Sequence, residues 1–196
     1  MNRLEYEQDF WEEAAKDKKV SRYIADKSVT LEKCTDAILP YIKDCKNVLE
    51  IGSGIGRLTI SFAKKLKKTN FFGVDISRGM IYLSSKKASS IKNVLFEKND
   101  GRTLPKHVID GAYSMLCFQH ITAEGVRGYI KQIGSMLSKG GVFRFQFVEG
   151  NEKSALSQQY HEEEIRKWCE EAGLKVKDYE KGLIYPVWTW VTAIKS

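Results

Sequence analysis

Three glycines at alternate positions directly behind a short apolar run constrain this chain more than any other feature. Residues 47–57 read NVLEIGSGIGR. Val48, Leu49 and Ile51 form the partly β-branched apolar run that a strand buried in a parallel sheet requires. Gly52, Gly54 and Gly56 then lack the Cβ atoms that would hold a ligand off the backbone. From Arg57 the sequence RLTISFAKKLKK sets Leu58, Phe62 and Leu66 four residues apart. That spacing predicts a helix whose first free N–H groups and positive dipole end face the glycine loop. Such an end suits an anionic ligand group, so the segment reads as a nucleotide-type cofactor site.

The spacing of the glycines discriminates between ligands. A dinucleotide fingerprint, G-x-G-x-x-G, would place its third glycine at position 57, where this chain has Arg57 and an extra glycine at Gly56. This departure counts against nicotinamide and flavin dinucleotides. Residues 71–75, FFGVD, read as a second strand ending in Asp75, about 20 residues past the loop, where a carboxylate accepts hydrogen bonds from a ribose diol. A third strand at 94–97 runs into Asn99, Asp100 and Gly101, where an acid can accept from the exocyclic amine of an adenine. A fourth is expected at 110–118. Asp100 and Asp110 each precede a glycine and also suit turns, and for Asp110 the structural role is preferred.

Taken together, LEIGSGIGR, VDIS, NDGRTLP, DGAYSMLCFQHI and LSKGGVFRFQF resemble, in order and spacing, the successive motifs of class I S-adenosylmethionine-dependent methyltransferases. The resemblance covers residues 47–147 by motif and the remainder by topology. It implies S-adenosyl-L-methionine as cofactor and S-adenosyl-L-homocysteine as product. It also implies that Glu50, Gly52, Ser53 and Gly54 surround the methionine moiety, Asp75 and Ile76 the ribose, and Asp100 and Gly101 the adenine. Gly56, Arg57, Met80 and Asn99 are assigned to the same cofactor site, and Cys117 to the exposed end of the fourth strand. Cys117 is expected to sit near the cofactor without reacting, since no helix start or basic cluster in its sequence neighbourhood lowers a thiol pKa.

Composition bounds the partners. With 196 residues and 42% of them hydrophobic, the chain suits one domain with a full core. A charged N-terminal stretch and the lack of any apolar run near the roughly 20 residues of a membrane span lead us to expect a cytoplasmic, soluble protein without a membrane partner. Cys34, Cys45, Cys117 and Cys169 show no C-x-x-C pairing, so neither a zinc site nor a disulfide framework is expected, and no metal is assigned. The net charge of +7 raises nucleic acid as a partner. Its lysines, however, among them Lys64, Lys65, Lys67, Lys68, Lys86 and Lys87, fall on helix faces without interleaved aromatics, and Glu162, Glu163, Glu164, Glu170 and Glu171 would repel phosphates. A solvated face is preferred, and the chain is expected to be a monomer or homodimer.

Helices are predicted at 9–18 and 31–39, the second ended near Pro40, capping the cofactor end of the sheet. A helix at 122–137 is closed by Gly140-Gly141, and Phe143, Phe145 and Phe147 then alternate with polar residues in a fifth strand. A helix at 161–172 is stopped by Gly173, and strands follow at 174–179 and 187–194. The expected fold is α/β, a Rossmann-like three-layer sandwich on a mostly parallel seven-stranded sheet with a reversed last strand. It forms a single domain over 1–196, with an N-terminal helical cap at 1–44, a cofactor core at 45–148 and a C-terminal helix with the last two strands at 149–196.

Open α/β sheets bind ligands at the carboxyl ends of their strands, which places a methyl acceptor near Gln119, His120, Phe147, Tyr160, Trp11 and Tyr23. For Trp11, Tyr23 and Phe147 ordinary core or helix packing is the preferred reading. Residues 149–160 are the one connection with room for a lid. Methyl transfer from a sulfonium asks mainly for positioning. For a hydroxyl or amine acceptor, His120 is the candidate general base, with packing or a loop hydrogen bond as its other reading. His107 and His161 are expected at the surface. CFQH stands where base N-methylating members carry N-P-P-Y or D-P-P-Y, Cys117 does not follow a proline, and no acidic cluster follows the fourth strand. Transfer to an oxygen or nitrogen of a small molecule therefore remains the expectation. The alternatives are a methyltransferase acting on protein or RNA, a non-catalytic cofactor-binding protein, and a nicotinamide oxidoreductase, which Arg57 disfavours.

Overall fold

The computed structural model describes residues 2–17, 29–151, 153 and 157–196. Among them, strands β1 (Asn47–Ile51), β2 (Asn70–Asp75), β3 (Val94–Lys98), β4 (Ile109–Ser114), β5 (Leu137–Val148), β6 (Leu174–Lys181) and β7 (Trp188–Lys195) form one seven-stranded sheet in the order β3-β2-β1-β4-β5-β7-β6. The pairs β1–β2, β1–β4, β2–β3 and β4–β5 are parallel, while β7 runs antiparallel to both β5 and β6. Helices α1 (Arg3–Lys16), α2 (Leu31–Ile42), α3 (Arg57–Lys65), α4 (Arg78–Lys87), α5 (Ala123–Met136) and α6 (Glu162–Glu171) complete the described elements. The expected class and the reversed last strand are both present.

Apolar packing covers both faces of the sheet. Ile130 and Ile133 of α5 and Ile165 and Trp168 of α6 pack with Leu49, Phe143, Phe145 and Val191 on one side. Ile38 and Ile42 of α2 and Phe62 of α3 pack with Val48, Phe71, Tyr113 and Trp190 on the other. A strand covered on both sides has no wet face for its polar residues. Accordingly Arg144 and Gln146, which alternate with the phenylalanines of β5, are fully buried. Arg144 Nε donates to the Ala37 carbonyl at 3.1 Å, and Nη1 donates to Thr192 Oγ1 at 2.8 Å and pairs with Glu180 Oε2 at 2.7 Å. Its guanidinium carbon lies 4.3 Å from the Tyr41 ring centroid and 5.1 Å from that of Trp190.

Several expected boundaries shift. The first helix starts at Arg3 because Asn2 and Glu5 close a reciprocal capping box. The second runs through Pro40 to Ile42: the next turn keeps its Lys43 N–H to Leu39 carbonyl bond at 3.0 Å, and Ile38 and Ile42 are both fully buried. Tertiary burial there outweighs the loss of one backbone donor. α5 ends at Met136, ahead of Gly140-Gly141. Those glycines lie within β5, where Gly140 takes a φ of 78° beside a register shift against β4. β4 itself stops at Ser114. Leu116 follows in the left-handed region at φ 55°, and a 3-10 turn covers Phe118–His120. Asp110 has the structural role preferred for it: its carboxylate accepts from the N–H groups of Lys46 and Asn47 at 2.8–2.9 Å and ties β4 to the start of β1.

Candidate functional site

At the carboxyl ends of β1, β2 and β4 the sheet opens into a cavity of about 680 Å³. The loop after β1 is held against β2: Gly52 and Ser53 donate their N–H groups to the Val74 carbonyl at 2.9 Å, and Gly54 donates to Asp75 Oδ2 at 2.8 Å. Gly52 and Gly54 have φ values of 75° and 51°, a region that costs an L side chain about 1–2 kcal/mol. A Cβ on Gly52 would lie 2.5 Å from Cys117 Sγ, whereas a Cβ on Gly54 would meet nothing within 4 Å. Both glycines line the cavity. Gly54 therefore leaves open the space a ligand would fill. Gly56, assigned to the cofactor site, is instead a packing residue outside the cavity lining: it caps α3 with Phe96, Ile60 and Ser84 against it.

Polar groups concentrate along this edge. Glu50 is buried and its Oε2 accepts from the Thr59 N–H at 3.2 Å, the Thr59 hydroxyl, and the Tyr113 hydroxyl at 2.9 Å. Burial, only partly offset by these bonds, raises its carboxyl to about 7. The buried Ser53 hydroxyl has no hydrogen-bond partner among the described residues. An orphaned polar group that lines a cavity is what a bound polar ligand would satisfy. Asp75 Oδ1 accepts from the Ser77 N–H at 2.9 Å, and Ile76 and Met80 line the wall beside it. Arg57 lines the cavity while its Nη1 donates to the Val29 carbonyl at 3.3 Å.

Asn99 and Gly101 reach the cavity, with Asn99 Nδ2 donating to the Tyr129 hydroxyl at 2.8 Å. Asp100 does not. It is exposed and its Oδ1 accepts from the N–H groups of Arg102 at 2.8 Å and Thr103 at 2.6 Å, so its turn role displaces the adenine role. Cys117 lines the cavity, three residues beyond the end of β4. Burial and the nearby Asp75 charge push its thiol well up, which keeps it protonated and unreactive.

Because the folded state favours the protonated form of Glu50, stability from this group is complete below the free-carboxylate value and is lost as pH rises from 4.5 through about 7. The shift corresponds to ~3 kcal/mol. Glu50→Gln is expected to flatten that part of the stability profile, measured by urea unfolding between pH 5 and pH 8.

Helix α1 roofs the cavity with Asn2, Arg3, Leu4, Glu7 and Trp11. It is docked through Glu12 Oε2, which accepts from Ser77 Oγ at 2.8 Å and from the Gly79 N–H at 3.1 Å at the start of α4. Across from it, His120 lines the cavity with its ring edge-on to Trp11 at 5.3 Å between centroids. Burial and the Arg3 guanidinium lower its imidazole to about 4, so it is neutral at pH 7.

The other candidates for the acceptor lie elsewhere. Phe147 and Tyr160 are fully buried in the core beneath α6, where the Tyr160 hydroxyl donates to the Phe118 and Ile121 carbonyls. Gln119 turns to Gln146, whose Nε2 donates to its Oε1 at 3.2 Å. Tyr23 lies outside the described residues. Of the segment 149–160, the described residues bridge Glu149 to Tyr160, the Gln158 N–H donates to the Gln119 carbonyl at 2.7 Å, and none of these described residues lines the cavity. His107 is half-buried rather than a surface residue, stacked on Phe72 at 3.9 Å and 2.6 Å from Glu97. Arg3, Glu7, Glu124 and Tyr129 line the cavity without having been singled out in the sequence. An Asn-x-x-Glu cap at Asn2, which the helix predicted at 9–18 does not take into account, marks where α1 begins, and no sequence pattern marks where its acids point. Among the described residues no group of three or more metal-ligating side chains converges, and no helix is long and apolar enough to cross a membrane.

Comparison with known proteins agrees with this geometry. Residues 48–141 match the family model of a methyltransferase domain. The chain is similar to an uncharacterized methyltransferase of Bacillus velezensis, 38% identical over 95 residues that cover 47% of this chain and 43% of that protein. It is also similar to a tRNA (guanine-N(7)-)-methyltransferase of Pediococcus pentosaceus, 35% identical over 68 residues covering 34% and 32% of the two chains. The match thus spans under half the length of these relatives. Among solved structures, magnesium protoporphyrin IX methyltransferase from Synechocystis PCC 6803, crystallised with bound SAH, superposes with a TM-score of 0.76 at 18% identity over 96% of this chain and 98% of that one.

Proposed function

We propose, because residues 48–141 place this chain in the class I S-adenosylmethionine-dependent methyltransferase family, that it transfers a methyl group from S-adenosylmethionine to an oxygen or nitrogen atom of a small-molecule acceptor held under α1. One observation carries the reading: a single cavity joins the Gly52, Gly54 and Asp75 edge to the His120 and Trp11 edge. The cofactor fits the first edge, where the orphaned Ser53 hydroxyl and the open space at Gly54 await a polar ligand. Glu50, Gly52, Ser53, Gly54 and Asp75 would hold it, with Ile76, Met80, Asn99 and Gly101 along the wall.

When bound, it supplies a methyl group on a positive sulfur, a centre already activated for displacement. The protein's part is then largely positioning. Leu4 and Trp11 exclude water from above, Leu116 and Cys117 close the floor, and the neutral His120 imidazole takes the acceptor's proton at a ring nitrogen. We place the reaction in the cytoplasm and read the chain as one domain, monomeric or homodimeric. Within that domain, 1–44 is the cap, 45–148 the cofactor core and 149–196 the completion of the sheet.

Calorimetric titration with S-adenosylmethionine and S-adenosylhomocysteine tests the premise. Wild type is expected to bind both. Asp75→Ala is expected to weaken binding about 100-fold, since it removes a charged acceptor and unties Gly54 and Ser77. Absence of binding to wild type would sink the reading. A macromolecular acceptor is the second reading, favoured by the net charge of +7 and the likeness to a tRNA-directed relative. Turnover on tRNA that falls steeply with salt would establish it instead.

A further inference from the structure

Glu7 is buried at the cavity wall between three polar groups. Its Oε1 lies 2.6 Å from Arg3 Nη2. Its Oε2 accepts from Trp11 Nε1 at 2.9 Å and lies 3.9 Å from His120 Nδ1. Arg3 in turn donates through Nε to the His120 carbonyl at 3.2 Å. One guanidinium thereby ties both Glu7 and the backbone of His120 in place, across 113 residues of sequence between the acid and the imidazole.

We propose that Glu7 is a positioning residue that accepts from Nδ1–H of His120, fixes the imidazole in that tautomer, and leaves Nε2 unprotonated toward the cavity as the proton acceptor. A neutral imidazole carries one N–H, and which nitrogen bears it is set by the partner of the other. Free histidine favours the Nε2–H form, which would present a donor to the cavity. A carboxylate at Nδ1 reverses the preference. At 3.9 Å the two atoms face one another slightly beyond hydrogen-bond length, and the ring must tilt toward Glu7 by that margin in the acceptor-free protein.

The role of the lone pair rests on the methyl-transfer reading; the tautomer does not. In that transfer the acceptor's O–H or N–H proton passes to Nε2. The acceptor's lone pair forms the bond to the methyl carbon, and the electrons of the broken carbon–sulfur bond remain on sulfur. The imidazolium left behind faces the Glu7 carboxylate.

Long-range ¹H–¹⁵N spectra of protein labelled at its three histidines, His107, His120 and His161, test the proposal without any acceptor. At pH 7 the wild-type His120 signal is expected to show a protonated Nδ1 and a bare Nε2. Glu7→Gln, which keeps the shape and an acceptor oxygen, is expected to retain that pattern. Glu7→Leu, which keeps the bulk alone, is expected to exchange the two nitrogen shifts. A wild-type Nε2–H form, or a pattern unchanged in Glu7→Leu, would overturn the proposal. So would reversion in both variants, because that outcome means α1 is undocked rather than deprived of an acceptor. Titrating the same samples with S-adenosylmethionine separates the two claims: failure to bind removes the methyl-transfer reading and leaves the tautomer result standing.

Discussion

Gly52→Ala is expected to destabilise the fold by about 2 to 4 kcal/mol and to weaken S-adenosylmethionine binding at least tenfold. The backbone there has a φ of 75°, which costs an alanine about 1–2 kcal/mol. The new methyl would stand 2.5 Å from Cys117 Sγ and 2.6 Å from its Cβ, adding an overpacking cost of about 1–3 kcal/mol. A less flexible unfolded chain recovers only ~0.5 kcal/mol. Cys117 has little room to retreat. It follows Leu116, already in the left-handed region, whose N–H is held by the buried Gln146 Oε1 at 2.9 Å. Cys117→Ala in the Gly52→Ala background is therefore expected to recover only part of the loss, because the Cβ contact persists. Cys117→Gly is expected to recover the steric share and leave the conformational one. Urea midpoints and calorimetry on the four proteins decide this, and a Gly52→Ala variant as stable as wild type would refute it.

The second large effect concerns Arg144 and Glu180, and it runs opposite to their exposure. Glu180→Ala is expected to cost about 3 kcal/mol, more than the roughly 1–2 kcal/mol of Arg144→Met. Removing one member of a buried pair costs most when the charge left behind stays buried. Arg144 is fully buried and its Nη2 already lacks a hydrogen-bond partner, so without Glu180 the cation is left with neutral acceptors and the faces of Tyr41 and Trp190. In Arg144→Met the stranded carboxylate of Glu180, with 38% of its side chain exposed, regains water. The bond to the Ala37 carbonyl and the cation–π contacts account for the remaining loss. Denaturant unfolding of the two variants gives the order directly, and the reverse order would show that packing rather than the stranded charge governs this part of the core.

What could be read from the chain was local in origin. The strand and helix on either side of the glycine loop follow from the periodicity of 47–66, and Asp75 from its distance behind that loop. Asp110 has the structural role preferred for it, but as a residue of β4 whose carboxylate accepts from Lys46 and Asn47 rather than in an Asp-Gly turn. Pro40 misled because a proline penalty is local, whereas the burial of Ile38 and Ile42 that outweighs it is not. Phe147 and Tyr160 misled for the related reason that a strand's carboxyl end can point into a cavity or beneath a helix, and α6 closes over these two.

The sequence by itself determined the doubly covered sheet, the glycine loop and the nucleotide edge of the cavity, because periodicity and left-handed backbone positions act over a few residues. Only the tertiary structure decided the His120 and Trp11 edge of the cavity. The roof made by α1 and the Arg3 and Glu7 contacts to His120 depend on where a helix lands. That landing is set by contacts between distant residues, Glu12 with Ser77 and Arg3 with His120, which no local pattern encodes.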